Sequence, residues 1–219
     1  MERHFVSELE NLKSLLIRMG SLVEGSVGES LAALAQRRGE VAEGVIGRES
    51  QVNALETEID NFVVDLLALQ QPVASDLRFI LAALKINNDL ERIGDHAVNI
   101  AESAISCAAR PPVPVPADMA TMGERVREML KDALDGFIHS KTDLCRRVLA
   151  TDDLVDSLNR KVVTDLMQLI RSDAGSLDAA QDLIRVSRNL ERIADLATNI
   201  AEDVIFVAEA KVVKHTGAA

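Results

Sequence analysis

Leu90-Glu91-Arg92-Ile93-Gly94-Asp95-His96-Ala97-Val98-Asn99-Ile100-Ala101-Glu102 returns one hundred residues later as Leu190-Glu191-Arg192-Ile193-Ala194-Asp195-Leu196-Ala197-Thr198-Asn199-Ile200-Ala201-Glu202. Only positions 94, 96 and 98 differ between the copies. Two amphipathic helices share composition rather than identities in register, so the chain is an internal duplication. The echo extends upstream at an offset of 103, where Met19-Gly20, Val23, Val27 and Leu31 are answered by Met122-Gly123, Val126, Leu130 and Leu134, and Val52 and Leu55 by Val155 and Leu158. The change of offset falls where Gln70-Gln71-Pro72-Val73 faces Ser172-Asp173-Ala174-Gly175, as an insertion or deletion in a connecting loop produces.

Apolar residues around these stretches recur at helical spacing. Leu9, Leu12, Leu16, Met19, Val23, Val27, Leu31 and Leu34 form one stripe and predict a helix over Phe5–Gln36. Arg37-Arg38-Gly39 is read as its end, with Gly just past the terminus and cations at the negative end of the helix dipole. A second helix follows over Glu40–Leu69, closed by Gln71-Pro72, and a third over Ser75–Ala109. Four of the five prolines then crowd into Pro111-Pro112-Val113-Pro114-Val115-Pro116, a stiff extended linker. Helices over Met119–His139, Lys141–Ile170 and Leu177–Lys211 repeat the scheme. The expected fold is all-α: two tandem three-helix bundles, residues 1–110 and 119–219, joined by a linker over 111–118. Phe is the only aromatic in the 219 residues, so the core is built from Leu, Ile, Val, Ala and Met, which also favours helices. Gly25, Gly28, Gly44 and Gly94 inside predicted helices point to close helix approach or local bending.

The net charge of -11 argues against a nucleic-acid partner, whose phosphates attract Lys and Arg. It suits basic surfaces or cations. Cys107 and Cys145 lie far apart in apolar surroundings and read as reduced core thiols. The start lacks the apolar stretch of a signal peptide, and no run is apolar enough to span a membrane, so the expected location is cytoplasmic.

At 100° per residue, Glu91, Asp95, Asn99 and Glu102 fall within roughly 80° of one another, opposite Leu90, Ile93, Ala97 and Ile100. Glu191, Asp195, Asn199 and Glu202 do the same. The bland reading is a solvated face with intrahelical pairs, Arg92 with Asp95 and Arg192 with Asp195. The sharper one notes that like charges at i and i+4 repel, and that a bound cation would relieve them. Carboxylate and amide oxygens suit magnesium, manganese, calcium or ferric iron, and the lack of a His or Cys cluster disfavours a structural zinc site. Glu56 and Asp60 supply a second Glu-x-x-x-Asp in the first half; the 103 offset puts Asn159 and Val163 opposite them, so the counterpart reads as eroded, with Asp156 nearby. No Glu-x-x-His, phosphate loop or nucleophile motif is present, and no catalytic residue is assigned.

Asp76-Leu77-Arg78, then Asp89-Leu90-Glu91-Arg92-Ile93-Gly94-Asp95-His96-Ala97 with its copy from Asn189 to Glu202, resembles the PhoU family of phosphate-uptake regulators. The ending Lys211-Val212-Val213-Lys214-His215 and the Pro-rich joint agree with it. The resemblance implies a six-helix, commonly dimeric, non-enzymatic regulator on the cytoplasmic side of a phosphate ABC importer, reaching the membrane only through its partners. Those partners would be the importer's ATPase subunit and a phosphate-sensing histidine kinase, with uptake and the starvation response held down when phosphate is plentiful. It also implies metal, iron first and otherwise magnesium, manganese, calcium or an oxygen-bound zinc, on Glu56 with Asp60, Glu91 with Asp95, and Glu191 with Asp195. Ala194 in place of Gly94 and the Asn159/Val163 pair depart from that pattern. A metal-storing or metal-sensing bundle is the alternative function.

Overall fold

The computed structural model describes residues 2–72 and 74–210. Lys211, where the sequence reading ends its last helix, and the rest of the Lys211–His215 ending lie outside them. Six α-helices and no strand are found among the described residues: α1 (Glu2–Gln36), α2 (Gly39–Gln70), α3 (Ala74–Ala108), α4 (Ala117–His139), α5 (Thr142–Ser172) and α6 (Leu177–Glu209), with a 3₁₀ turn over Ala174–Ser176. None is long and apolar enough to cross a membrane.

The apolar stripes become the core. On α1 Leu12, Leu16, Met19, Val23 and Val27 are fully buried. On α2 Ala42, Val45, Val52, Leu55, Ile59 and Val63 are buried, and their partners at the 103 offset, Cys145, Val148, Val155, Leu158, Val162 and Leu166, are buried on α5. The duplication thus persists at the level of packing. The helices α1, α2 and α3 form one bundle and α4, α5 and α6 the other, but their apolar side chains make one continuous core.

Two seams join the halves. In the first, α3 lies antiparallel to α6: Lys85 Nζ meets Asp203 Oδ1 at 3.0 Å, His96 Nδ1 and Asn189 Oδ1 are 2.8 Å apart, and Ser106 Oγ donates to Asp182 Oδ2 at 2.7 Å. In the second, α1 crosses α4. A methyl group added at Gly20 would sit 2.8 Å from Leu134 Cδ2, and one at Gly123 would sit 3.3 Å from Leu31 Cδ1. Gly20 and Gly123 are equivalent positions in the repeat, as are Leu31 and Leu134. Each half therefore offers a leucine to the other's glycine, and an approximate two-fold axis relates the bundles.

The end of α1 differs from the sequence expectation. Arg37, not Gly39, adopts the left-handed conformation (φ 53°), and Gly39 opens α2. The N–H of Arg38 donates to Ala33 O at 2.9 Å, closing the last turn. Arg37 occupies the glycine-favoured position while its guanidinium donates to the carbonyls of Ala108 and Arg110, tying the ends of α1 and α3 together. Ser140 (φ 53°) and the Lys141 N–H to Gly136 O bond of 3.0 Å repeat the turn after α4.

Candidate functional site

The repeated motif places its acids along the crevices between α3 and α2 and between α6 and α5. Asp95 is exposed, but Glu91 and Glu191 are half-buried, so the stripe is not simply the solvated face that the helical wheel suggests. Burial pushes the Glu91 carboxyl above the usual range; the charges of Asp95 and Glu56 add to this, Arg92 opposes it, and Glu49 adds further. Gly94 lets Val52 of α2 approach beneath, since a methyl group there would lie 3.3 Å from Val52 Cγ1.

Of the sequence candidates in the first half, Glu91 thus feels the charges of both Asp95 and Glu56, while Asp60 is engaged by a hydrogen bond from α3. Asn87, fully buried on α3, donates through Nδ2 to Asp60 Oδ1 at 2.9 Å and to the Glu56 carbonyl at 3.1 Å. In the second half the equivalent contact is neutral, Ser187 Oγ donating to Asn159 Oδ1 at 2.6 Å.

In the second half Asn159 and Val163 stand where Glu56 and Asp60 do, and acids nearer the start of α5 line the crevice instead. Glu191 and Asp195 face Asp152 and Asp156 of α5, a carboxylate pair at the same i, i+4 spacing but beginning before Asn159. The Asp152 carboxyl is pushed up to about 6, first by burial and then by the charges of Asp195, Asp156, Asp153 and Glu191. Burial also raises Glu191; Arg192 opposes this, while Asp195 and Asp156 add to it. The 103 offset sets Asp152 opposite Glu49 and Asp156 opposite Asn53; Asp156 was already flagged by the sequence, and the internal repeat contained the signal for Asp152, which was missed. The second face is the more acidic of the two.

Basic residues flank these acids. Arg192 Nη1 donates to Asp195 Oδ2 at 3.1 Å, as the spacing predicts, but Arg92 lies 4.0 Å from Asp89 instead of pairing with Asp95. The carboxylates have the oxygen chemistry of a hard-cation site. Among the described residues, however, no three His, Cys, Asp or Glu side chains are gathered as ligands for one ion. They make two faces on which neighbouring carboxylates repel one another.

Comparison with known proteins follows the duplication. The PhoU domain family matches residues 16–104 and 119–204. The chain is 36% identical over 208 residues to the phosphate-specific transport system accessory protein PhoU homolog of Clostridium acetobutylicum, covering 94% of this chain and 95% of that protein. It is 39% identical over 208 residues to the like-named protein of Aquifex aeolicus, covering 95% and 94%. The crystal structure of PhoU from Pseudomonas aeruginosa superposes with a TM-score of 0.92 at 36% identity, covering 94% of this chain and all of that one. The phosphate transport system regulatory protein PhoU from Streptococcus pneumoniae does so with a TM-score of 0.88 at 27% identity, covering 95% and 99%.

Proposed function

This chain belongs to the PhoU family, and from that membership we propose that it is an accessory regulator of phosphate transport that works by binding, without turnover. The observation that carries the reading is the match of both repeats, in sequence and in helical scaffold, to proteins named as phosphate-specific transport accessory or regulatory proteins. The finer reading is a cytoplasmic, dimeric adaptor between the importer's ATPase subunit and a phosphate-sensing histidine kinase, which holds uptake and the starvation response down when phosphate is abundant. Two acid faces related by an approximate two-fold axis support it, because they offer basic partner surfaces two similar but unequal docking positions.

A strain lacking the gene, grown in abundant phosphate, is expected to show raised alkaline phosphatase and phosphate uptake, both returning to normal with the intact gene. With the Asp95→Asn, Asp195→Asn double variant, repression is expected to be incomplete. Full repression by a folded double variant would reduce the acid faces to solvated surface, and an unaltered deletion strain would sink the regulator reading.

A second reading, cation binding with a storage or sensing role, is favoured by the crowding of Asp152 with Asp156, Glu191 and Asp195. It rests on charge and oxygen chemistry alone, and extends to Glu56, Asp60, Glu91 and Asp95 in the first half only as the sequence expectation had them. Manganese is expected to raise the thermal midpoint of metal-stripped protein, and to do so less in an Asp156→Asn, Glu191→Gln variant. An unchanged midpoint together with metal-free protein as isolated would end this reading.

A further inference from the structure

At the joint between the repeats lies a cavity of about 540 Å³, lined by none of the carboxylates of the two acid faces. It is bounded by the end of α1, the proline segment 112–116, the start of α4 and the start of α6. Its walls include Leu31, Leu34, Val113, Met119 and Leu183. Prolines lack an N–H, so the linker wall offers few hydrogen-bond donors to anything inside. A half-enclosed apolar space of this size, within the range of roughly 300–1,000 Å³ of small-molecule pockets and set between two structural units, has the form of a ligand site.

Three charged residues are among those that line it, Arg37, Arg127 and Glu124, and two of the three are cationic. Arg37 is engaged by the carbonyls of Ala108 and Arg110. Arg127 reaches from α4 across α1, its Nε 3.6 Å from where a methyl group on Gly28 would lie, and it has no hydrogen-bond or ion-pair partner among the described residues. In a chain of net charge -11, an apolar cavity with an uncommitted guanidinium at its mouth is complementary to a small anionic amphiphile.

We propose that this cavity binds a medium-chain carboxylate, its hydrocarbon body beneath the proline segment and its carboxylate on Arg127. Because both repeats line the space, an occupant braces the joint between them. The proposal is independent of the phosphate reading and is tested by direct binding.

The probe is dansylundecanoic acid, added to the purified full-length protein and displaced by submicellar decanoate or by decanol. Decanoate is expected to displace it at concentrations about tenfold below those needed for decanol, the advantage of one charge-assisted contact. Arg127→Gln removes that difference and leaves decanol unchanged. Ala120→Trp, at the exposed mouth on α4, abolishes displacement by both. Failure of decanoate to displace the probe, equal affinity in wild type and both variants, or binding seen only with anionic phospholipid vesicles would each overturn the proposal. Arg127→Gln, a surface change, keeps the test valid should the tryptophan variant not fold.

Discussion

Gly136→Ala is expected to lower the stability of the protein by about 2 kcal/mol, and adding Cys145→Ala is expected to restore most of it. Gly136 sits near the end of α4, where a methyl group would lie 2.5 Å from Cys145 Sγ and 3.3 Å from the Lys141 carbonyl oxygen. The sulfur belongs to a short, buried side chain with one rotatable bond, and the carbonyl is backbone held by the turn that closes the helix, so neither yields cheaply. Burial pushes the Cys145 thiol up to about 11, so it is a neutral, space-filling group at ordinary pH. The first repeat already contains the compensated solution: its equivalents of Gly136 and Cys145 are Ala33 and Ala42, both fully buried. Urea unfolding of the wild type, both single variants and the double variant measures the coupling. A double variant as unstable as the sum of its singles would show that the two turns do not pack alike.

Asp152→Asn is expected to stabilise the protein at pH 7.5 by about 1–2 kcal/mol. In the folded protein burial, with the neighbouring carboxylates, pushes the wild-type carboxyl up to about 6 from its ordinary 3.8. Between those values the folded state holds a proton that the unfolded chain has released, so stability falls as pH rises through the window and the penalty is complete above it. Asparagine resembles the protonated form at every pH. Its advantage should therefore be full at pH 7.5 and absent below about pH 4. The expected size is less than the shift alone would give, because the group is partly exposed and screened. Thermal melts of both proteins at the two pH values, repeated in high salt to shrink the gain, check the prediction. A variant no more stable than wild type at pH 7.5 would mean that the four carboxylates do not repel as placed.

The six helices were legible because Leu, Ile and Val recur at spacings of three and four and because Pro72 and Pro111 to Pro116 interrupt them. Each helix's buried face follows from its own periodicity. The register of one helix against another does not: a stripe looks the same when slid by a turn, so periodicity alone did not say which acids of α2 lie near Glu91, where the structure sets both Glu56 and Glu49. Contacts such as that of buried Asn87 with Asp60 set the choice, and they involve residues far apart in sequence. The left-handed Arg37 was hidden for a related reason, since what holds it is a pair of carbonyls at and just past the end of α3. Asp152 was within reach, because the offset that aligns the repeats names it directly.

A surface that fits a rotated copy of itself is the surface of an isologous dimer. The reciprocal seating of Leu31 against Gly123 and Leu134 against Gly20 has that form within a single chain. A lone repeat would meet its mate only as concentration allowed, and both partners would carry every substitution at once. Fusion through the proline segment makes the encounter intramolecular and frees the two copies to change separately. Asn53 can then stand in one where Asp156 stands in the other, and Ala33 with Ala42 where Gly136 faces Cys145. A tethered pair can thus acquire two unequal faces, which strict two-fold symmetry forbids.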